Sequence, residues 1–497
     1  MNEKESSQNQ YRIFGVSGNP LENNRVMVES NRSGQSRVLS ASDWQLLLSC
    51  QNFATLTMHT VRYQQKLKSD RLHSQNGFLE NVFKRNKKSN VLLSLMKDFV
   101  EAGFLVSASE LNEEISDISM NSHPSITHEH EKISVVGIPT CGRPEMLKRC
   151  LSSYIQNFRQ NQRVPDIFII DDSKQRLYQQ KNQSVVKNIS KLYAGNIFYM
   201  DRQQRLLFAN IVADEVGIEP ALMNFALMGH PGCNRSEGGC RNAILLLTQG
   251  KMVLQTDDDT ICQIAQPPTV RKKLTLTSEP SSDEYWFFKS YQDATEAVDF
   301  IDVDFLSIHE QILGKTLKSV INPFLDIDCD LDTQKVQSSF VRNMVRGKVE
   351  IGISQVGPVG DTGLGTDLYR LLLESDSCKR FLYPAENISW HLTTRQVIRS
   401  VTHPTISDIT RCIGMNMATD NRTFLPPFMP VQSRSDGTFG DLLTVCFPYT
   451  FAGCMPYVLA HDPPVDRTRT IDQLFSIAES VRLNDIISEL IYAWQNE

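Results

Sequence analysis

The sequence predicts an α/β protein: a mostly parallel sheet with helices on both faces, preceded by a small α+β domain. Three observations carry this. From Lys132 onward, short apolar runs alternate with segments of helical spacing, the pattern of parallel strands joined by crossover helices. Residues 10–107 place short strands before helices instead. Between the two, residues 108–131 are rich in Ser, Glu, Asp and His and poor in large apolar side chains, the composition of a polar linker.

In the first domain, residues 1–107, Tyr11 to Ser17 and Arg25 to Ser30 read as strands. Asn31 to Gly34 is a turn signal and Ser36 to Leu39 a return strand. Ser42 and Asp43 are expected to cap a helix beginning at Trp44. Leu92, Leu93, Leu95, Met96, Phe99 and Val100 follow helical spacing, Gly103 stops that helix, and Phe104 to Ser107 is a last extended piece. The run LMKDFVEAGFLV that ends this order of strands and helices resembles a winged-helix element that recognises the leader of a ribosomally made precursor peptide. The resemblance implies that a peptide adds as a strand to an exposed sheet edge; the alternative is a purely structural domain. Lys84, Arg85, Lys87 and Lys88 form a basic cluster that a DNA-binding winged helix would use, but their Lys/Asn/Ser-rich setting reads better as a solvated loop. His123, His128 and His130 of the linker read as mobile polar residues, since nothing nearby supplies a fixed further metal ligand.

Bulk properties exclude several classes. The net charge of -6 argues against a nucleic-acid-coating protein. No run of about 18 apolar residues exists to cross a membrane, and the polar start lacks a signal-peptide pattern. The 11 cysteines form no CxxC pair, so a cytoplasmic protein with reduced thiols is expected.

In the second region, Ile133 to Ile138 reads as a buried strand ended by Pro139, Glu145 to Asn157 as a helix, and Asp166 to Ile170 as a second buried strand. Ligands of such sheets bind at the carboxyl ends of strands. Three strand ends there finish in polar groups: Pro139-Thr140 with Arg143, Asp171-Asp172-Ser173, and Asp257-Asp258-Asp259. If the last triplet continues a strand, Asp257 and Asp259 point to one side and converge on one hard cation, Mg²⁺ or Mn²⁺. Such a cation would stabilise charge on a departing diphosphate. Gly238-Gly239-Cys240-Arg241-Asn242 opens a helix whose N-terminus favours phosphate, with Arg241 as a fixed cation.

The order P-T-x-x-R, I-I-D-D-S, G-G-C-R-N, D-D-D resembles an inverting family 2 glycosyltransferase of the GT-A fold over residues 132–265. The resemblance implies a nucleotide-sugar donor, and a UDP-sugar above all. It gives donor-binding roles to Pro139, Thr140, Arg143, Asp171 or Asp172, Gly239, Arg241, Asn242, Asp257 and Asp258. Metal-binding roles fall to Asp257 and Asp259, with His461 as a late histidine ligand. The long span 178–237 departs from the family pattern and implies an insertion.

Residues 266–464 would form the acceptor half, where the family needs a carboxylate base. No Glu-Asp pair or QxxRW motif is present, which argues against processive polymer synthesis. Asp436 is the preferred base, between the Pro-rich run Phe424 to Pro430 and the glycines Gly437 and Gly440. Asp361 in a Gly-flanked turn is second, and Asp367 reads as a helix N-cap. Residues 465–497 form an amphipathic helical segment suited to core packing or a homodimer contact. The preferred acceptor is Ser, Thr or Cys of a precursor peptide recruited by residues 1–107. Alternatives are a glycan or lipid-linked acceptor, and a non-catalytic scaffold.

Overall fold

The computed structural model describes residues 9–73, 89–121, 131–233, 235–279, 282–326, 330–364, 368–464 and 467–495. The basic cluster at 84–88, the linker histidines and Asp367 lie outside them. The chain divides into two compact units, one of residues 1–122 with 276–278 and 331–346, the other of the remainder.

In the smaller unit, β1 (Tyr11–Ile13) is followed by a three-stranded antiparallel meander, β2 (Val16–Leu21), β3 (Arg25–Ser30) and β4 (Ser36–Ser40). Helix α1 (Ala41–Leu48) is capped by Ser40, whose side chain accepts the Asp43 amide, and so begins earlier than expected. Helix α2 (Leu56–His73) has no counterpart in the sequence reading. Its inner positions Leu56, His59, Thr60 and Tyr63 are spaced as a helix face, but two of the four are polar. His59 bonds the Tyr11 carbonyl at 2.7 Å and Thr60 the Leu56 carbonyl at 2.9 Å, which makes their burial tolerable. Helix α3 (Ser89–Glu101) ends at Gly103, with φ +69°, and leads into β5 (Leu105–Ser107), which pairs with β1. The first half of the expected linker is helix α4 (Ala108–Asn121). Glu110 accepts from the Ser107 amide and hydroxyl at 2.9 Å, and Leu111 and Ile115, four apart, are buried.

The larger unit is built on a mixed sheet. Strands β6 (Val135–Thr140), β7 (Asp166–Asp171), β8 (Ile197–Met200) and β9 (Met252–Thr256) are parallel, in the order β8-β7-β6-β9. β6 and β9 are buried along their whole length. Pro139 does not end β6; it sits inside the strand opposite Ile170. Gly137 lets the helix that carries Ile244 approach, since an added Cβ would lie 2.6 Å from that side chain. Between β6 and β7 runs α5 (Pro144–Gln160), with proline in its first turn and Leu147, Leu151, Tyr154 and Phe158 buried. The long span before the glycines holds α6 (Arg176–Ser190), β8, α7 (Arg202–Val216) and α8 (Pro220–Met228), and α9 (Glu237–Leu247) follows. After β9 comes β10 (Thr260–Ala265).

Past β9 the sheet continues through two long strands, β11 (Glu350–Asp361) and β13 (Thr450–His461), which pair in parallel with Gly360 opposite His461. β12 (Asn416–Asp420) joins β11 to β9 by antiparallel pairing. β10 pairs with β13 antiparallel, Thr260 opposite His461. Helix α10 (Ser435–Cys446) precedes β13. No helix among the described residues is long and apolar enough to cross a membrane.

Candidate functional site

The parallel register brings the ends of β6, β7 and β9 to one edge of the sheet. The β10–β13 pairing carries His461 to the same place, opposite the residue that follows the aspartates. Asp257, Asp258 and Asp259 form a turn between β9 and β10, not a strand, and Thr260 N–H closes it on the Asp257 carbonyl. The strand argument for Asp257 and Asp259 facing one side therefore does not apply. A turn fans the three carboxylates apart, and each has a different neighbour.

Asp257 is the most exposed of the three and accepts Arg241 Nη2 at 2.6 Å. Asp258 is fully buried. Its Oδ2 accepts the Thr140 hydroxyl at 2.6 Å, and its Oδ1 faces Arg143 Nη2 at 2.6 Å. Burial pushes the Asp258 carboxyl up to about 7 against the pull of Arg143. Asp259 pairs through Oδ2 with Arg143 at 2.9 Å. Its Oδ1 lies 3.3 Å from His461 Nε2, yet that buried oxygen meets hydrogen-bond geometry with nothing described. Burial alone would raise Asp259, but His461 and Arg143 hold it well below the usual carboxylate range. Burial alone would lower His461, and the facing Asp259 raises it instead.

His461 Nδ1 stands 2.7 Å from the Asp361 carbonyl, which makes that nitrogen the N–H donor. A neutral imidazole then turns the Nε2 lone pair toward Asp259. Two lone pairs facing each other call for a second proton or a cation between them. A metal-bound histidine commonly gives its other N–H to a carbonyl in this way. Two donors each about 2.1 Å from a cation at right angles stand about 3 Å apart. Asp259 and His461 therefore fit two corners of a divalent site, while Asp257 is held by Arg241. No group of three or more metal-binding side chains occurs among the described residues. The remaining ligands would be water and substrate oxygens, the habit of Mg²⁺ and Mn²⁺.

The other predicted residues divide into those that face this edge and those that hold the scaffold. Arg241 also reaches the Gly414 carbonyl at 2.7 Å. Asp436 Oδ2 accepts the Gly414 amide at 2.8 Å, so Asp436, Gly414, Arg241 and Asp257 form one chain of contacts. Asn242 points elsewhere. It bonds the carbonyls of Ala226 and Phe428 and accepts the Phe428 amide at 2.7 Å, a structural clamp. Gly239 serves close packing, as an added Cβ would lie 2.5 Å from the Leu227 carbonyl.

Asp171 and Asp172 are both enclosed by protein groups. Asp171 accepts from Ser173, from Asn182 at 3.0 Å and from the Tyr199 hydroxyl at 2.6 Å. Asp172 is gripped by Arg202, Arg205 and Ser236. Asp361 is buried and takes two bonds from the buried Arg395, at 2.8 and 3.2 Å, and one from the Gly363 amide. Burial would raise its carboxyl, but Arg395 lowers it. A carboxylate so held is a poor proton acceptor, and Asp361 is better read as the support of Arg395 and, through its carbonyl, of His461.

Two residues at this edge escaped the sequence reading. Arg467, well exposed, approaches Asp361 at 3.5 Å and Asp259 at 3.9 Å. No pattern in its stretch of sequence marks it. Glu237 precedes the two glycines and stands four residues before Arg241, a spacing that could have drawn attention. No family model and no curated protein sequence matches the chain.

Proposed function

We propose that the chain is a metal-dependent glycosyltransferase that uses a nucleotide-sugar, a UDP-sugar above all, and inverts the anomeric centre in a single displacement. One observation carries the reading: the buried Asp259 Oδ1 and His461 Nε2 face each other at 3.3 Å at the carboxyl edge of parallel strands, the spacing of two neighbouring ligands on one cation. In this reading Asp259 and His461 hold Mn²⁺ or Mg²⁺, and the bound cation neutralises charge on the departing diphosphate. Arg143 fixes Asp258 and Asp259. Arg241 orients Asp257 toward the donor, and Thr140 anchors the turn through Asp258. Asp171, the last residue of the next strand, and Asp172 just past it order the loop under the nucleotide. A carboxylate bordering the Asp257–Arg241 pair receives the acceptor proton; Asp436, the preferred sequence candidate, borders that pair through Gly414 but accepts backbone amides there with both oxygens.

For the acceptor, we favour Ser, Thr or Cys of a ribosomally made peptide recruited by residues 1–107, as the winged-helix resemblance implies. The unpaired thiols of the described cysteines suit a reducing cytoplasm. The test is titration calorimetry of UDP with and without Mn²⁺, paired with UDP release from UDP-sugars. Wild-type protein should bind UDP in a Mn²⁺-dependent manner. Asp259→Asn should weaken that binding by about 100-fold or more, beyond the usual cost of an outer-shell partner. Metal-independent binding, or none, would sink the reading and favour a non-catalytic scaffold. Removing residues 1–107 should spare donor hydrolysis and impair peptide modification; if a precursor peptide is glycosylated equally well without that segment, the recruitment idea fails.

A further inference from the structure

Glu237 is the first residue of α9 and stands one turn ahead of Arg241, so the two share a helix face. That face is fixed by the two bonds of Arg241, to Asp257 and to the Gly414 carbonyl. The start of the helix is wedged as well. An added Cβ at Gly238 would lie 1.9 Å from the Met429 carbonyl, so the chain there cannot drift. Beyond Gly414, both Asp436 oxygens are engaged with backbone, Oδ2 by the Gly414 amide at 2.8 Å and Oδ1 by the Gly437 amide at 2.9 Å. Glu237 differs. Its side chain is exposed and makes no hydrogen bond or ion pair with any described residue. Arg235, Arg241, Asp257 and Asp436 all stand within electrostatic reach of its carboxyl.

We infer that Glu237 is the proton acceptor of the transfer reaction, and that Asp436 is a positioning residue that holds Gly414 and through it Arg241. The inference rests on the glycosyltransferase reading. As the acceptor oxygen bonds to the anomeric carbon, its proton passes to a Glu237 carboxylate oxygen. The bond from that carbon to the diphosphate oxygen breaks, and its electron pair leaves with the nucleoside diphosphate. Water takes the acceptor's place when donor alone is supplied.

Glu237→Gln keeps the size of an exposed side chain, so its melting temperature and its Mn²⁺-dependent UDP binding should match wild type. UDP release is then measured from UDP-glucose, UDP-galactose and UDP-N-acetylglucosamine. Each is run with water alone and with sodium azide, an anion that attacks without giving up a proton. With water, release by Glu237→Gln should fall by about 100-fold or more. With azide it should return toward the wild-type rate, with glycosyl azide as product. Hydrolysis that is unchanged in Glu237→Gln overturns the assignment, and so does loss with both nucleophiles. A wild-type chain that binds UDP with Mn²⁺ but turns over with neither nucleophile overturns the proton-acceptor role alone. A wild-type chain that neither binds UDP nor releases it overturns the glycosyltransferase reading and this inference together.

Discussion

His309 and His461 are both buried in the larger unit, and each has Nδ1 engaged, by the Ser354 hydroxyl at 3.0 Å and by the Asp361 carbonyl at 2.7 Å. Their Nε2 atoms separate them. That of His309 lies among core side chains, edge-on to Phe305, and meets no partner. That of His461 faces Asp259 at 3.3 Å. The consequences run in opposite directions. Burial pushes His309 down to about 3, while the carboxylates around His461 overcome the same burial and raise it. Enclosure alone therefore does not make a histidine functional. What faces the second nitrogen decides whether a buried imidazole is held neutral or drawn toward its charged form.

The contrast can be broken most severely at Asp361, which supports His461 through its carbonyl. Asp361→Ala leaves the buried Arg395 without its carboxylate and should cost about 3–5 kcal/mol in urea unfolding. Activity lost at undiminished stability would return Asp361 to the chemistry. Next in size is a matched pair, His461→Gln and His309→Gln. Calorimetry of UDP with Mn²⁺ should register a loss of about 100-fold for the first and wild-type affinity for the second; equal losses would erase the distinction.

The smallest effect is a slope. The folded value of His309 lies below its unfolded value of about 6.5, so the unfolded chain takes the proton first as pH falls. Its stabilising contribution is complete above about pH 6.5 and declines from there toward pH 3, by up to about 1.4 kcal/mol per unit. Urea unfolding at pH 7 and pH 5 should give a shallower loss in His309→Gln than in wild type. Parallel losses would mean that His309 is not held neutral.

The sequence was legible where burial leaves an apolar run. β6, β7 and β9 lie where they were expected, and so does the acidic turn with His461 beside it. It was opaque where the inside of an element is polar. α2 hid behind buried His59 and Thr60, and α4 shows only Leu111 and Ile115 as an inner face in a stretch of linker-like composition. Residue types pointed to one edge of the sheet, where Thr140, Arg143, the three aspartates and His461 do meet, but not to the pairs they form there. The strand argument coupled Asp257 with Asp259, whereas the turn gives one to Arg241 and the other to His461. Asn242 carries a motif position and clamps backbone instead. The Asp259–His461 contact and the clamp of Asn242 on Phe428 each join residues more than a hundred positions apart, and local pattern holds no record of them.

The long parallel strands turn residue count into a specification. Between Ile351 and Ile353 of β11 an extra residue is accommodated, and between Cys454 and Val458 of β13 the register shifts the other way, after which Gly360 and His461 align. A slip of one residue turns every following side chain to the opposite face. Deleting Ala460, which precedes His461 in β13, would leave all three aspartates of the turn in the chain and still turn the imidazole to the opposite face of the strand, away from Asp259. Spacing along β13 up to His461 thus belongs to the contact with Asp259 as surely as the two side chains that make it.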